Sequence, residues 1–259
     1  MSSAALTAAP SIVTDKMREQ YVRDGYFLLE RAIPDEHLKI LRDTAAFYID
    51  QIHADMDRQG KDVLGINHRN SRYFIANRWR EAPALGKFLF SDYMADICRA
   101  TLGPDAYLFH EQYVIKAAEK GMKFAWHQDS GYVGYPHREY LSCWCALDDM
   151  TEENGTVYML PYDRAGVRNT VEHVVEAGTN DRVGYHGDDP GEPIICPAGS
   201  IAVFSSNCFH RSGSNRTNKM RRVHLAQYSA EPIINPQGKV HALADPLIKD
   251  GKLVAEVRR

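Results

Sequence analysis

The chain has 259 residues, and its 34 acidic and 31 basic side chains leave a formal net charge of −3. This near balance predicts no general affinity for nucleic acid or anionic membranes. The sequence contains neither an apolar run of membrane-spanning length nor the charged segment followed by an apolar one that marks a secretory signal peptide. We therefore expect a cytoplasmic protein without a membrane or nucleic-acid partner. The length favours one domain, 1–259, with a substantial core.

The N-terminal part carries helical patterns. Thr14 and Gly25 suit the two ends of a short helix from Asp15 to Val22. Pro34 precedes a longer helix, through Arg58, with apolar residues at three- and four-residue spacing. Further elements are predicted at 26–29 (strand), 82–90 and 92–102 (helices). We therefore expect a disordered tail at 1–12 and a mainly helical support at 13–104.

A basic stretch, Gly65 to Arg80, interrupts this part of the chain. It contains Tyr73, Phe74 and Trp79 among the basic residues His68, Arg69, Arg72, Arg78 and Arg80. One interpretation is a solvated helix or loop. The other is the rim of a site for an anionic group, because guanidinium donors match carboxylate and phosphate oxygens.

From residue 105 the pattern changes to short strands separated by Gly, Pro, Asn and Asp. Strands are predicted at 106–116, 123–127, 140–147, 156–160, 193–196, 200–204 and 221–228. This spacing is typical of an antiparallel sandwich or barrel, here covered by the N-terminal helices. We expect a mainly β fold with N-terminal helices (α+β), with its core at 105–230 and a C-terminal extension at 231–259.

The five cysteines, at positions 98, 143, 145, 196 and 208, include no Cys-x-x-Cys pair of the kind that suits a thiolate metal site. Cys143 and Cys145 lie in an apolar strand-like run. We expect them to be buried free thiols.

His-x-Asp occurs three times, and local structure separates the three triplets. His53 and Asp55 lie on a predicted helix, where positions two apart point in different directions. The triplet at 186–188 lies in a Gly- and Pro-rich turn. His127 and Asp129 follow a strand-like run, where positions two apart share a face. This pair is therefore the candidate chelate.

His210 and Arg221 complete the motif. Two imidazoles and one carboxylate are the ligand set that occupies one face of an octahedral Fe(II). An arginine eleven residues beyond His210 suits a clamp for a carboxylate. Arg216 and Arg222 compete for this role, but Arg221 shares a strand face with apolar residues, where a guanidinium needs an anion to offset desolvation. The pattern indicates an oxygenase that binds a keto diacid.

The chain resembles the phytanoyl-CoA dioxygenase family of Fe(II)/2-oxoglutarate oxygenases. The resemblance runs from Tyr21 to Arg221 and rests on the order of five motifs: Val114-Ile115-Lys116, Trp126-His127-Gln128-Asp129, Cys143-Trp144-Cys145-Ala146-Leu147, Glu153-Asn154-Gly155-Thr156 with Leu160-Pro161, and His210-Arg211-Ser212-Gly213-Ser214-Asn215-Arg216-Thr217. Arg211 departs from the usual glycine at that position, which predicts a narrower pocket mouth.

The resemblance implies a double-stranded β-helix (a cupin-like jelly roll) that uses Fe(II), 2-oxoglutarate and O₂. It implies that His127, Asp129 and His210 bind iron and that Arg221 binds the distal carboxylate of 2-oxoglutarate. Three further residues would lie beside the co-substrate: Gln112, Trp144 and Ser212. Taken alone, Trp144 also suits a core position, Gln112 a cross-strand hydrogen bond and Ser212 a turn.

The expected reaction is hydroxylation of an unactivated C–H bond of a small polar metabolite, anionic or zwitterionic, with release of succinate and CO₂. The carboxylate at Asp129 favours hydroxylation, or a related desaturation or ring oxidation, over halogenation, since halogenating relatives have a small residue there. The loop 131–137 could form a lid. Two alternatives stay open: a cupin-like metal hydrolase or isomerase on the same ligands, and a non-catalytic barrel that only binds.

Overall fold

The computed structural model of the protein describes residues 11–118, 123–176 and 181–254. Its helices are α1 Asp15–Asp24, α2 Asp35–Gln59, α3 Ala84–Leu89, α4 Asp92–Thr101 and α5 Tyr162–Ala165, with a 3₁₀ turn at Asp129–Tyr132. Its strands are β1 Tyr26–Leu29, β2 Val63–Leu64, β3 Asn67–His68, β4 Arg72–Ala76, β5 Ala106–Lys116, β6 Phe124–His127, β7 Leu141–Ala146, β8 Val157–Leu160, β9 Val174–Val175, β10 Arg182–Val183, β11 Glu192–Pro193, β12 Ile201–Ser205, β13 Phe209–Ser212, β14 Arg221–Ser229, β15 Asp245–Lys249 and β16 Lys252–Leu253. None of the described helices is long and apolar enough to cross a membrane.

Two antiparallel sheets form the jelly roll. The large sheet has the order β1-β12-β7-β14-β5-β4-β3-β2, with β15 added to β5 and β16 to β15. The small sheet has the order β11-β8-β13-β6, and β9 pairs with β10. The predicted fold class, a mainly β jelly roll with N-terminal helices, is confirmed. The C-terminal extension supplies β15 and β16.

The large sheet is buried on both faces, as β7 illustrates. Cys143 and Cys145 join the core between this sheet and the helices. Trp144, between them in sequence, joins the core between the two sheets. Alternation along a strand therefore divides one apolar run between two cores. All five cysteines are buried and unpaired, as was predicted for Cys143 and Cys145.

The first helix begins where it was predicted, and its two capping residues act as expected. The Thr14 hydroxyl accepts a hydrogen bond from the Met17 amide at 3.3 Å. Gly25 ends the helix with a φ of 87°, and a Cβ there would lie 2.7 Å from the Tyr162 ring. The helix therefore reaches Asp24, two residues beyond the predicted end.

The structure departs from the expected local structure in three places. Part of the basic stretch is β-sheet rather than helix or loop, since β4 pairs with β5 over five positions, so the mainly helical region 13–104 also adds strands to the large sheet. Ser11 and Ile12, assigned to the tail, hydrogen-bond the Asp96 carboxylate at 2.8 and 2.7 Å; residues 1–10 lie outside the described residues. The strand predicted at 193–196 is instead Glu192–Pro193 plus an isolated bridge at Cys196.

Glu111, in the middle of β5, ties the basic stretch to the sheet. Its fully buried carboxylate accepts hydrogen bonds from the backbone amides of Arg78 and Trp79 and lies 3.0 Å from His224 Nε2. Glu111→Ala leaves these donors without an acceptor, so we expect the free energy of unfolding to fall by about 1–3 kcal/mol per buried donor. Chemical denaturation measures this loss, and Glu30→Ala at an exposed position is the control. Equal stability of the two variants would contradict the assignment.

Candidate active site

A cavity of about 540 Å³ lies between the two sheets, a volume typical of small-molecule sites. Every residue that the sequence predicted for the site lines it: Gln112, His127, Asp129, Trp144, His210, Ser212 and Arg221. A larger groove, of about 1060 Å³, runs along residues 130–139 and 168–173 and does not contain this set.

Strand pairing brings the His-Asp-His cluster together. His127, the last residue of β6, lies directly opposite His210 on β13, with ring centroids 4.2 Å apart. The backbone of Gln128 is extended, so Asp129 returns to the same side at the start of the 3₁₀ turn. One ligand atom from each of the three residues lies within 4.8 Å of the other two. In the described ranges, no other group of His, Cys, Asp or Glu meets this criterion.

Backbone carbonyls fix both imidazoles. His127 Nδ1 lies 2.8 Å from the Ala125 oxygen, and His210 Nδ1 lies 3.1 Å from the Cys208 oxygen. Since a carbonyl only accepts, each Nδ1 carries a proton, which leaves each Nε2 for the ligand cluster. Burial lowers the pKa of His210, but the neighbouring Asp129 carboxylate outweighs burial and raises it. Burial and the neighbouring His210 lower the pKa of His127 to about 3, so this imidazole is neutral at pH 7. Neutral imidazole is the form that binds metal ions.

Two polar side chains hold one oxygen of Asp129. Oδ2 accepts hydrogen bonds from Ser142 Oγ at 2.6 Å and from Gln227 Nε2 at 2.9 Å. Oδ1 lies 3.5 Å from His210 Nε2, on the side of the ligand cluster. Burial raises the pKa of Asp129, but His210, His127 and the hydrogen bond from Ser142 outweigh burial and lower the pKa to about 2. The carboxylate is therefore ionised, with Oδ1 available to a cation.

Gln227 should matter for metal affinity although it lies outside the ligand set. Gln227→Met removes the amide that orients Asp129 while keeping a similar volume. Loss of such an orienting partner costs about 10- to 100-fold in metal affinity. Titration with Co(II) or Ni(II) measures the effect, with the exposed Gln237→Met as control. An unchanged affinity would show that Ser142 alone is sufficient.

Arg221 is a buried cation at the start of β14, 1% exposed. Its Nη2 donates to the Gly155 oxygen at 3.0 Å, its guanidinium lies 5.7 Å from the Trp144 ring centroid, and its Nε has no hydrogen-bond partner. Burial lowers its pKa to about 10, which leaves it charged at pH 7. A glycine at 155 lets the Gly213 turn approach closely, because a Cβ there would lie 2.4 Å from the Gly213 oxygen.

The neighbouring arginine occupies the opposite face, as strand alternation predicted. Arg222 forms an ion pair with Asp148 at 2.6 Å. His224, on the same side, is buried beneath the helices rather than exposed. Arg221 therefore carries the charge that faces the cavity, and Arg222 does not compete with it.

Two elements around the cavity carry features that the sequence left open. Arg211 lines the cavity, and its guanidinium lies 3.9 Å from the Tyr158 ring centroid. In the loop 131–137, Tyr132 and Val133 also line the cavity, and Tyr135 Oη hydrogen-bonds His241 Nδ1.

Sequence reasoning missed β13, Ser142 and Gln227. Strand β13 consists of only four residues, two of them basic, and is followed by a Ser- and Gly-rich turn. It therefore lacks an apolar strand pattern. Ser142 and Gln227 lie in strands that were predicted, but their roles depend on Asp129 lying between them in space.

Comparison with known proteins agrees with this geometry. The profile of the phytanoyl-CoA dioxygenase (PhyH) family matches residues 21–223. An ectoine dioxygenase from Bordetella parapertussis is 26% identical over 248 residues, covering 84% of this chain and 76% of that protein. A methylphosphonate hydroxylase from Gimesia maris is 24% identical over 225 residues, covering 84% and 81%.

Solved structures share the fold. EctD from S. alaskensis, crystallised with 2-oxoglutarate and 5-hydroxyectoine, superposes with a TM-score of 0.65 at 18% identity, over 97% of this chain and 89% of that one. The alpha ketoglutarate dependent carbocyclase SnoK from nogalamycin biosynthesis gives 0.65 at 15% identity, over 87% and 88%. With its profile match, jelly-roll fold and His-Asp-His cluster, the chain belongs to the phytanoyl-CoA dioxygenase family of Fe(II)- and 2-oxoglutarate-dependent dioxygenases.

Proposed function

We propose that this dioxygenase hydroxylates an unactivated C–H bond of a small polar metabolite, with His127, Asp129 and His210 as the iron ligands and Arg221 as the clamp for 2-oxoglutarate. One observation carries the proposal: the ligand cluster and a buried guanidinium with an unpaired Nε line the same cavity. This pairs a metal site with an anion site at close range.

The ligand cluster fits Fe(II). Two imidazoles and one carboxylate are the ligand set that would hold Fe(II) and leave room for further ligands. When bound there, Fe(II) supplies O₂ activation coupled to oxidative decarboxylation of 2-oxoglutarate to succinate and CO₂. The chain holds the three ligands in place, and its apolar cavity wall excludes water.

The co-substrate contacts follow from the cavity lining. Arg221 offers its unpaired Nε to the distal carboxylate, and a charge-assisted hydrogen bond there offsets the desolvation of the guanidinium. Ser212 lies at the same end of the cavity. Trp144 lies against the guanidinium, and Gln112 contributes a side-chain amide to the wall.

Formation of succinate tests the reaction class. Protein incubated with Fe(II), ascorbate, 2-oxoglutarate and O₂ is expected to release succinate, and to release more of it when its substrate is present. A metal hydrolase or isomerase on the same ligands would consume no 2-oxoglutarate, and a binding module would release no succinate with any substrate. Either result would reject the proposal.

The cavity rim favours an anionic or zwitterionic substrate. Arg72 and Asp181 both line it, so it presents charges of both signs. Other arginines of the basic stretch are paired elsewhere: Arg69 with Asp57 and Asp62, Arg78 with Glu81, and Arg80 with Asp245. Of the arginines in the described stretch 65–80, Arg72 is the one that lines the cavity, which suits a small metabolite better than the several phosphates of an acyl-CoA.

Arg72 should therefore contribute to substrate affinity, and Arg69 provides a matched control. In a screen of small carboxylates, phosphonates and zwitterions followed by succinate release, Arg72→Ala should raise the KM of the substrate about 10-fold or more, the cost of losing one charged hydrogen bond. Arg69→Ala should leave this KM unchanged, because Arg69 is paired with two solvent-exposed aspartates and such exposed ion pairs contribute little. A neutral hydrocarbon-like substrate, or equal effects of both changes, would contradict this substrate class.

A further inference from the structure

Three cations form a row across the large sheet at the co-substrate end of the cavity. Arg72 on β4 lies directly opposite Lys116 on β5, and Lys116 lies directly opposite Arg221 on β14. Directly opposed residues share a face of the sheet, and like charges in such positions repel. The arrangement therefore costs free energy that nearby anions offset; Asp181 supplies one carboxylate beside Arg72 and Lys116, and a bound anion would supply another beside Arg221.

Lys116 is the middle member of this row and is almost fully buried, 1% exposed. Its amine donates to Ser212 Oγ at 2.8 Å and to the Gly213 carbonyl oxygen, and it lies 5.1 Å from the Phe124 ring centroid. Burial and the Arg221 charge lower the pKa of Lys116, and Asp181 opposes this effect. An anion between the two cations would favour the charged amine.

The bond to Ser212 has a directional consequence. A lysine ammonium only donates, so Ser212 Oγ is the acceptor and its single hydroxyl proton is left for another partner. Ser212 lines the cavity beside Arg221. The hydroxyl can therefore donate into the space that the distal carboxylate would occupy.

The turn that follows β13 has other anchors besides the Lys116 side chain. Asn215 Nδ2 donates to the backbone oxygens of Lys116, Ala117 and Lys219 at 3.3, 3.0 and 2.7 Å. The turn also packs against Gly155, whose Cα lies 3.6 Å from the position of a Cβ on Gly213. A buried cation is thus not required merely to anchor the turn.

We propose that Lys116 is a positioning residue that makes the site selective for a keto acid with a second carboxylate. It holds Ser212 so that the hydroxyl proton points at the distal carboxylate, and its charge adds to that of Arg221. This rests on the proposed function, in which Arg221 binds the distal carboxylate of 2-oxoglutarate.

The test compares two keto acids of equal length by calorimetry on Ni(II)-loaded protein without O₂. 2-Oxovalerate has a methyl group where 2-oxoglutarate has its distal carboxylate. Lys116→Met should weaken 2-oxoglutarate binding about 10- to 100-fold, the range for one charge-assisted hydrogen bond, and leave 2-oxovalerate binding unchanged. If Lys116→Met weakens the binding of both acids equally, Lys116 has only a structural role and the proposal is wrong. If it weakens the binding of neither acid, the proposal is also wrong.

Further variants separate the possible failures. If Lys116 acts through Ser212, adding Ser212→Ala to Lys116→Met should cost little more, whereas additive losses would overturn this route. Lys116→Arg should retain part of the selectivity. If thermal unfolding shows that Lys116→Met does not fold, Lys116→Gln takes its place with the same expected result. If the wild-type protein binds neither acid, the proposed function itself is refuted. If Arg221→Ala weakens 2-oxoglutarate binding and Lys116→Met does not, only the role of Lys116 is refuted.

Discussion

Replacing His210 by alanine is expected to abolish Fe(II) binding and turnover while the fold survives. The change removes one of three ligands, so the loss of metal affinity should exceed the roughly 100-fold upper range for an orienting partner. His127→Ala should behave in the same way, because its Nε2 is presented to the same position. Metal titration measures the loss, and circular dichroism with thermal unfolding checks the fold.

His186→Ala is the matched control for this experiment. His186 belongs to another His-x-Asp triplet but is exposed in a loop. It should keep full metal affinity. Substantial activity in either His127→Ala or His210→Ala, or metal loss in His186→Ala, would show that the ligand assignment is wrong.

Arg221→Ala is expected to raise the KM for 2-oxoglutarate about 30- to 1000-fold, equivalent to roughly 2–4 kcal/mol for a charge-assisted pair in a desolvated site. The physical reason is that the buried Nε has no hydrogen-bond partner in the protein and is able to donate to a bound anion. Steady-state kinetics with varied 2-oxoglutarate, at saturating substrate, measures the change. Metal affinity should be unaffected, because the guanidinium is not a ligand.

Arg222→Ala controls for the loss of a cation from the same strand. Its guanidinium is paired with Asp148 on the opposite face, so the KM for 2-oxoglutarate should hardly move. Equal effects of the two substitutions, or a larger effect at Arg222, would reverse the assignment of the clamp.

Much of the site was predictable from sequence because its chemistry depends on local order. The position of His127 at a strand end and the extended Gln128 place Asp129 on the same side. Alternation along β14 likewise placed Arg221 inward and Arg222 outward, since a strand has a period of two residues. These arguments need only the residues next to each position, and the structure agrees with them.

The sequence by itself thus determined the fold class, the helix caps of α1, the metal-ligating cluster and the inward arginine. Only the tertiary structure decided that Ser142 and Gln227 hold Asp129 and that Arg72, rather than Arg69, reaches the cavity. It also decided that Lys116 lies opposite Arg221. Each of these contacts joins residues far apart in sequence through strand register. A period-two pattern gives the face of a residue but not its partner on the next strand, and a shift of one position would change every such contact.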